Sequence, residues 1–480
     1  MTSPSQPATE RDLWRHADFL RLWAAQAISA FGSRITRTAL PIIAVITLHK
    51  SEAMIGVLAA MQLVPGIVLA MIAGGLVDRG RKRRILIAAD LVRAALVGSL
   101  TLAWALGGLS MAQVITVGAG VGAATALFQI TDVAYLPALI GRRRLAEGNA
   151  RLETTEAIAE ITGPASAGVL IAALGAPLAV AIDAASYVWS AIMLGRIRGG
   201  DDRGTPRAAT AELDPDGSVD GSVDGSVDGS VDGSADASPD ASPDGSADAT
   251  PDGSVVRTGE DFRIGLRAVF GHPLVRPIVL TVMMWSVTGG FFIALYTPYC
   301  LRAIGLPEST FGVIIAMGGV GSLAGAVLAR GLARRLGVGR TLLVVSALSL
   351  VCTLFIPIAG AGMSRATAIG FLVAHQLLGD GFSVAFIVLA VTLRQTVLPR
   401  EVLGRANAAI YVCTTGVLVV SALLAGGLAS LIGIHAAVWA GLSIGLVAPV
   451  FLWPLRQLRE MPAGDLGTSE PALARAEPRE

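Results

Sequence analysis

The chain has 480 residues, of which 53% are hydrophobic and 15% are charged, and its mean hydropathy is +0.65. A soluble protein would carry about 25% charged residues, so the composition excludes an ordinary soluble domain, and the net charge of +1 offers no basic field for nucleic acid. The three cysteines lie in apolar stretches without metal-ligand spacing, which argues against a disulfide framework and a zinc site.

The dominant feature of the sequence is a series of long apolar stretches. A membrane helix needs about 20 mostly apolar residues, and the strands of a membrane β-barrel would be shorter and would alternate in polarity. We therefore predict an all-α membrane protein with twelve transmembrane helices in two six-helix bundles. The stretches are residues 18–48, 53–77, 85–107, 110–139, 149–174, 177–195, 273–300, 309–332, 340–359, 366–393, 402–431 and 434–454.

Basic residues are concentrated in every second connection between these stretches. Residues 79–84 and 142–144 are arginine-rich, and residues 330–335 and 394–405 contain three arginines each. Because arginine and lysine favour the cytoplasmic side of a membrane, both termini are predicted to be cytoplasmic. We expect the protein to lie in the plasma (inner) membrane.

The first stretch carries two arginines, Arg34 and Arg37, close to the middle of the membrane. A charge at that depth costs about 3 kcal/mol or more, and residues three apart share one face of a helix. That face is therefore predicted to look onto protein or water. The sequence leaves two alternatives open, which are contact with substrate and a structural ion pair.

The loop between the second and third stretches, GGLVDRGRKRRIL (74–86), resembles the cytoplasmic signature G-x-x-x-D-R-x-G-R-K of the major facilitator superfamily. Gly74, Asp78, Arg79 and Lys82 match this signature, and Arg81 replaces its second glycine. The resemblance implies a gating loop at the cytoplasmic edge. The corresponding loop of the second half has Arg334 where the acid would be.

The third, fourth and fifth stretches also carry polar residues within the membrane. Asp90 and Arg93 are predicted to form a local structural pair. Gln129 and Asp132 share a helix face with Thr125. In the fifth stretch Glu160 is a candidate partner of the arginines, as is Asp132, whereas Glu153 and Glu156 are predicted to be structural.

Gly163, Pro164 and Gly168 resemble the fifth-helix motif of antiporters, since proline bends a helix and glycine allows close packing. An ordinary kinked helix is the alternative. With stretches 136–153, 183–198 and 392–410, this region resembles the drug and siderophore exporters related to macrolide efflux and enterobactin export proteins. The fourth stretch departs from many proton-coupled drug exporters because it has no arginine.

Between the sixth and seventh stretches lies a four-residue Asp-Gly-Ser repeat, residues 214–254. It has too little apolar surface to fold, and its aspartates lack the spacing of calcium loops. The repeat therefore predicts a flexible linker. The predicted organisation is a cytoplasmic tail (1–17), a six-helix bundle (18–198), a disordered linker (199–262), a second bundle (263–455) and a second tail (456–480).

In the tenth stretch Gln376 and Asp380 share a face with Ser383, and His375 lies beside them. The family resemblance implies that the first, fourth, seventh and tenth stretches line a central cavity. Asp380 is the first candidate for proton coupling, because removal from water favours the neutral carboxyl. His375 is the second, since imidazole changes charge near neutral pH.

Together these features predict a secondary transporter that exports amphipathic small molecules by alternating access, driven by proton antiport. Its partners would be a small-molecule substrate, the proton gradient and the lipid bilayer, with no nucleic acid. We expect a monomer that is not an enzyme and needs no cofactor. The alternatives are an importer or symporter of a polar nutrient, and a non-transporting membrane sensor or scaffold.

Overall fold

The structure is a computed structural model that describes residues 13–141, 144–199 and 253–459. Side chains are not described at residues 70–79, 253–261, 400 and 401, nor at 146, 157, 161, 164 and 165. The predicted linker and tails lie largely outside these ranges. The described part of the chain is helical throughout, without a β-strand, as the sequence predicts.

The N-terminal half contains one 3-10 turn and six helices. They are Leu13–Arg15, α1 (Ala17–Ile42), α2 (Glu52–Arg79), α3 (Lys82–Ala105), α4 (Met111–Ile140), α5 (Leu145–Leu174) and α6 (Ala176–Gly195). A π-helical turn, Ile43–Thr47, extends α1 just after Pro41. Because proline lacks a backbone N–H, the helical ladder is irregular at this point.

The C-terminal half has more interruptions. Its helices are α7 (Gly253–Gly271), α8 (Val275–Pro298), α9 (Glu308–Leu336), α10 (Val338–Thr353), α11 (Phe355–Ala359), α12 (Arg365–Ala374), α13 (Asp380–Val397), α14 (Arg400–Ile432) and α15 (Ile434–Ile444), followed by a 3-10 helix, Gly445–Gln457. A π-helical turn, Tyr299–Ala303, extends α8, and another, His375–Gly379, joins α12 to α13.

Helical segments cover all twelve predicted membrane-spanning stretches. Within the described residues, ten segments are long and apolar enough by composition alone to cross a membrane. The two long helices outside that group, α1 and α5, carry the arginines and glutamates of the predicted site. Helix α7 was not predicted, and it begins inside the predicted linker.

The two halves pack against each other chiefly through two helix pairs, α2 with α14 and α5 with α9, and α8 also contacts α2 and α1. A Cβ on Gly168 of α5 would lie 2.6 Å from the Cα of Gly312 on α9, and a Cβ on Gly56 of α2 would lie 2.6 Å from the carbonyl oxygen of Ala422 on α14. Glycine is required at both positions because only a bare backbone permits such close approach. We call this region the closed end.

An arginine also crosses between the halves at the closed end. Arg302 donates hydrogen bonds to the carbonyl oxygens of Lys50 (2.5 Å) and Val45 (2.6 Å), and it lies 3.7 Å from the carboxylate of Glu52. Charge-assisted hydrogen bonds are stronger than neutral ones. The closed end lies opposite the arginine-rich connections, which define the basic end of the molecule.

Candidate functional site

A cavity of about 750 Å³ lies between the two halves. Both halves contribute charged and aromatic side chains to its wall. The charged members are Arg34, Arg37, Glu156, Glu160 and Asp380, and the aromatic members are Tyr187, Phe292, Tyr296, Phe311 and Tyr411. Helices α1, α4 and α8 and the α12–α13 segment all line the cavity, as the family resemblance implies, together with parts of α2, α5, α9 and α14.

The charges of the N-terminal half form a cluster between α1 and α5. Arg34 donates from Nη2 to Glu156 Oε1 at 2.5 Å and pairs through Nη1 with Glu160. Arg37 lies 3.9 Å from the other oxygen of Glu160. The Arg34 side chain is 11% exposed and that of Arg37 is 62% exposed. Arg34 is therefore held by two carboxylates, whereas Arg37 lines the cavity with a largely exposed side chain and a longer contact to one carboxylate.

The fifth-helix motif supports this cluster directly. A Cβ on Gly163 would lie 2.5 Å from Cγ of Arg34, so the arginine occupies space that any larger residue at position 163 would fill. Gly168 lies one and a half turns further along α5 and forms the closed-end contact with Gly312. The side chain of Pro164 lies outside the described residues. The two glycines thus serve different contacts, one with the site and one with the other half.

On the opposite wall the C-terminal half presents a single carboxyl group, Asp380, at the start of α13. Among the described residues it has no hydrogen bond and no ion pair. Its side chain lies against Gly318 of α9, where a Cβ would collide with Oδ2. The π-helical turn before it also brings Gln376 to the cavity wall, 5% exposed, with Oε1 lacking a hydrogen-bond partner.

Aromatic rings form the wall beside Asp380. Phe292 and Tyr296, one turn apart on α8, stack with ring centroids 4.4 Å apart, and Phe311 of α9 lies 5.6 Å from Tyr296. Of the seventh-stretch aromatic residues, Trp285 packs instead against Phe386. The cavity therefore combines a flat apolar surface with nearby charge, which suits ligands that have both characters.

Two predicted site residues lie away from the cavity. The carboxylate of Asp132 accepts a hydrogen bond from Gln26 at 2.6 Å and has no contact with the arginines. Asp132 is thus not their counter-ion, because its turn of α4 faces the other end of α1. His375 is 4% exposed, and its Nδ1 lies 3.1 Å from the carbonyl oxygen of Cys352. Gln129, by contrast, does line the cavity.

Of the predicted gating loop, only part can be placed. Gly74, Asp78 and Arg79 belong to the end of α2 whose side chains are not described, and Lys82 is half-buried at the start of α3. The sequence analysis missed the role of Arg83, which donates to the carbonyl oxygens of Leu194 (2.9 Å) and Gly195. A cation suits this position because these carbonyls end α6.

Sequence reasoning also missed the partnership of Glu156 with Arg34 and the contribution of α9. Glu156 falls four residues before Glu160, which is the spacing that places two side chains on one helix face. The signal for α9 is the run of small residues in GGVGSLAG (318–325), which is typical of close helix contacts. No group of three His, Cys, Asp or Glu side chains that could hold a metal occurs in the described ranges.

Solved transporter structures share this architecture. A bacterial homologue of the iron transporter ferroportin in an inward-facing state is 15% identical, with a TM-score of 0.64, over 93% of this chain and 100% of that one. A bacterial homologue of ferroportin in an outward-facing state is 18% identical, with a TM-score of 0.52, over 91% of this chain and 99% of that one. The nucleoside transporter NupG is 9% identical, with a TM-score of 0.60, over 92% of this chain and 99% of that one.

A search of curated protein sequences finds no match. The sequence profile of the Major Facilitator Superfamily matches residues 22–413, which is most of the chain. With its twelve-helix fold and central cavity, the chain belongs to the major facilitator superfamily and is a multi-pass membrane transporter.

Proposed function

We propose that this transporter exports amphipathic small molecules from the cytoplasm by alternating access and is driven by proton antiport. The observation that supports this proposal is the composition of the cavity. One wall carries Arg37, whose side chain is largely exposed. The other carries Asp380, a carboxyl group without a hydrogen bond or ion pair in the described ranges, beside stacked aromatic rings.

The two walls favour different parts of a ligand. Phe292 and Tyr296 offer flat apolar surface, while Asp380 attracts a positive charge beside it. Arg37 can bind an anionic or strongly polar group, since its one nearby carboxylate is 3.9 Å away. A molecule with an apolar body and polar or charged ends satisfies all three features. A purely hydrophilic nutrient would leave the aromatic wall without a contact.

Asp380 is the proposed coupling group. A cavity-facing carboxyl without a hydrogen bond or ion pair among the described residues can exchange a proton or a cationic ligand without first breaking a salt bridge. Glu156 and Glu160 are less suited to this role, because both are held by Arg34. Competition between proton and substrate at Asp380 would link the two fluxes in opposite directions.

The predicted orientation gives the side of the membrane from which this state of the cavity can be reached. If the basic end is cytoplasmic, the closed end faces the outside, and the cavity takes its ligand from the cytoplasm. A proton that enters from the outside would then release the substrate there. An importer would use the same cavity in the opposite order, so direction must be measured.

The test is accumulation of ethidium and a panel of amphipathic antibiotics in a bacterial host that lacks its own efflux pumps. We expect the protein to lower accumulation, Asp380→Asn to abolish the effect and Arg34→Ala to weaken it. Glu308→Gln is the matched control, since this acid lies at the start of α9, away from the cavity.

Three outcomes would contradict the proposal. Raised accumulation would indicate import. Unchanged accumulation of every compound, with the protein present in the membrane, would exclude export of this chemical class. Equal activity of wild type, Asp380→Asn and Arg34→Ala on a compound that wild type clears would show that the site is elsewhere. Everted vesicles with imposed pH gradients of each sign then test the coupling itself.

A further inference from the structure

A second group of ionisable residues lies in the core of the N-terminal half and reaches the cavity wall through one member, Tyr187. Asp90 and Arg93 come from α3, and Asp183 and Tyr187 come from α6. All four side chains are buried, with residue exposures of 0%, 4%, 0% and 0% respectively. The cavity mechanism proposed above uses none of these charges. We call these four residues the core cluster.

The core cluster has one positive charge for two carboxyl groups. Arg93 pairs through Nη2 with Asp90, and its guanidinium lies between the rings of Phe128 and Tyr187, 4.5 Å from each centroid. The charged groups that act on Asp183 are Arg93 and Asp90. The neighbouring helices contribute uncharged residues to the cluster. Gly32 and Thr36 of α1 lie against Asp183, and Phe128 of α4 lies against Arg93. With both carboxyls ionised, the cluster would hold one uncompensated negative charge.

The core cluster also has buried polar atoms that lack a hydrogen bond, as expected if it binds a further proton. Asp183 Oδ1 accepts from Ser186 Oγ at 3.1 Å, and the hydroxyls of Thr36 and Ser190 lie next to Asp183 and Asp90 respectively. Within the described residues, Asp183 Oδ2, Asp90 Oδ2 and the fully buried hydroxyls of Tyr187 and Ser190 nevertheless form no hydrogen bond of good geometry. Buried polar atoms normally have a partner, and an uncompensated buried charge is costly. One additional proton removes the excess charge and converts a carboxyl into a donor.

We propose that the core cluster is a proton-binding site in which Asp90 and Asp183 share one exchangeable proton, in addition to the proton proposed at Asp380. The cluster also touches the cavity wall. Tyr187 and Thr36 line the cavity, and a Cβ on Gly32 of α1 would lie 2.5 Å from Asp183 Oδ1. Because α1 carries Arg34 and Arg37, loss of the proton would act on the helix that presents the cavity cations. This role rests on the proposed function only in its link to coupling, since proton binding itself needs no substrate.

The test is infrared difference spectroscopy on the purified full-length protein, because a protonated carboxyl absorbs apart from a carboxylate. At neutral pH we expect a band of a buried carboxylic acid that shifts when H₂O is replaced by D₂O and disappears reversibly on alkaline titration. Asp183→Asn should remove this band, and Asp90→Asn should remove or shift the same band. Asp380→Asn and the control Glu308→Gln should leave it in place.

A further variant guards against loss of folding. Ser186→Ala keeps both carboxyls but removes the hydrogen bond to Asp183, so it should shift the band without abolishing it. The proposal is overturned if no band depends on Asp183 or Asp90, or if the band is present but does not exchange with D₂O. It is also overturned if added NaCl, compared with choline chloride, abolishes the band, which would indicate a sodium site. None of these results depends on whether ethidium is transported.

Discussion

The two halves use charge in different ways. The N-terminal half has arginines with several carboxylates around each, both at the cavity (Arg34) and in the core (Arg93). The C-terminal half presents to the cavity one carboxyl, Asp380, without an ion pair in the described residues. Charge removal should therefore damage structure in the first half and coupling in the second, because a buried ion without its partner is costly.

The largest expected effect is on stability, from Arg93→Met. This change leaves Asp90 and Asp183 buried without a cation, and breaking such a pair costs about 3–5 kcal/mol. The melting temperature of the detergent-solubilised protein should fall accordingly. Arg37→Met is the matched control, because an arginine that is 62% exposed should contribute less than about 1 kcal/mol. Similar melting temperatures for the two variants would contradict the comparison.

The next effect concerns the contact that joins the halves. Gly168→Leu places a side chain against the backbone of Gly312, and overpacking of this kind costs about 1–3 kcal/mol. The closed end should therefore open more often. In a cysteine-free background, a cysteine at Thr38 should react about tenfold faster or more with an impermeant thiol reagent added at the closed end. Gly331→Leu, where a Cβ would meet nothing within 4 Å, should leave the rate unchanged.

A third prediction separates coupling from structure. Asp380→Asn should abolish ethidium transport driven by a pH gradient in proteoliposomes. Its free energy of unfolding should change by no more than a surface substitution does, about 0.5 kcal/mol, so its melting temperature should stay close to that of wild type. Glu160→Gln should keep the response to pH, because Arg34 retains Glu156 as a partner. If Glu160→Gln loses that response and Asp380→Asn keeps it, the assignment of roles to the two halves is reversed.

The smallest effect is expected from deletion of residues 214–252, which lie outside the described residues. Transport should be unchanged, because the Asp-Gly-Ser repeat has too little apolar surface to form a packed part of a binding site. Ethidium accumulation and membrane expression level are the measurements. Loss of function at normal expression would instead favour the scaffold alternative, in which the linker recruits a partner.

The contrast between Arg34 and Asp132 shows how far sequence reasoning reached. Arginine in an apolar stretch must meet water or an acid, so a site near Arg34 could be predicted from composition alone. Its partner could not be chosen between Asp132 and Glu160, because that depends on how α1, α4 and α5 are rotated about their axes. Residue spacing gives the faces of one helix but not which face meets which neighbour. The structure joins Arg34 to Glu160 and Asp132 to Gln26.

The π-helical turn before Asp380 shows a second limit. In an ideal helix His375 lies about 100° from the face of Gln376 and Asp380, and it was a candidate coupling group because imidazole changes charge near neutral pH. The wider turn over His375–Gly379 changes that relation, and His375 is directed to the carbonyl oxygen of Cys352 while Gln376 reaches the cavity. The place of such a rare turn cannot be read from the period of apolar residues, which assumes a regular helix.

The sequence by itself determined the membrane-spanning architecture, since an apolar segment of about 20 residues crosses hydrocarbon as a helix, which satisfies its own backbone hydrogen bonds. It also determined that the arginines of α1 require a polar environment. Tertiary structure alone decided which acids pair with which cations and which glycines bring the halves into contact. It also decided which cavity carboxyl has no ion pair among the described residues. Those outcomes depend on helix rotation and close packing between residues far apart in the chain, and no local pattern encodes them.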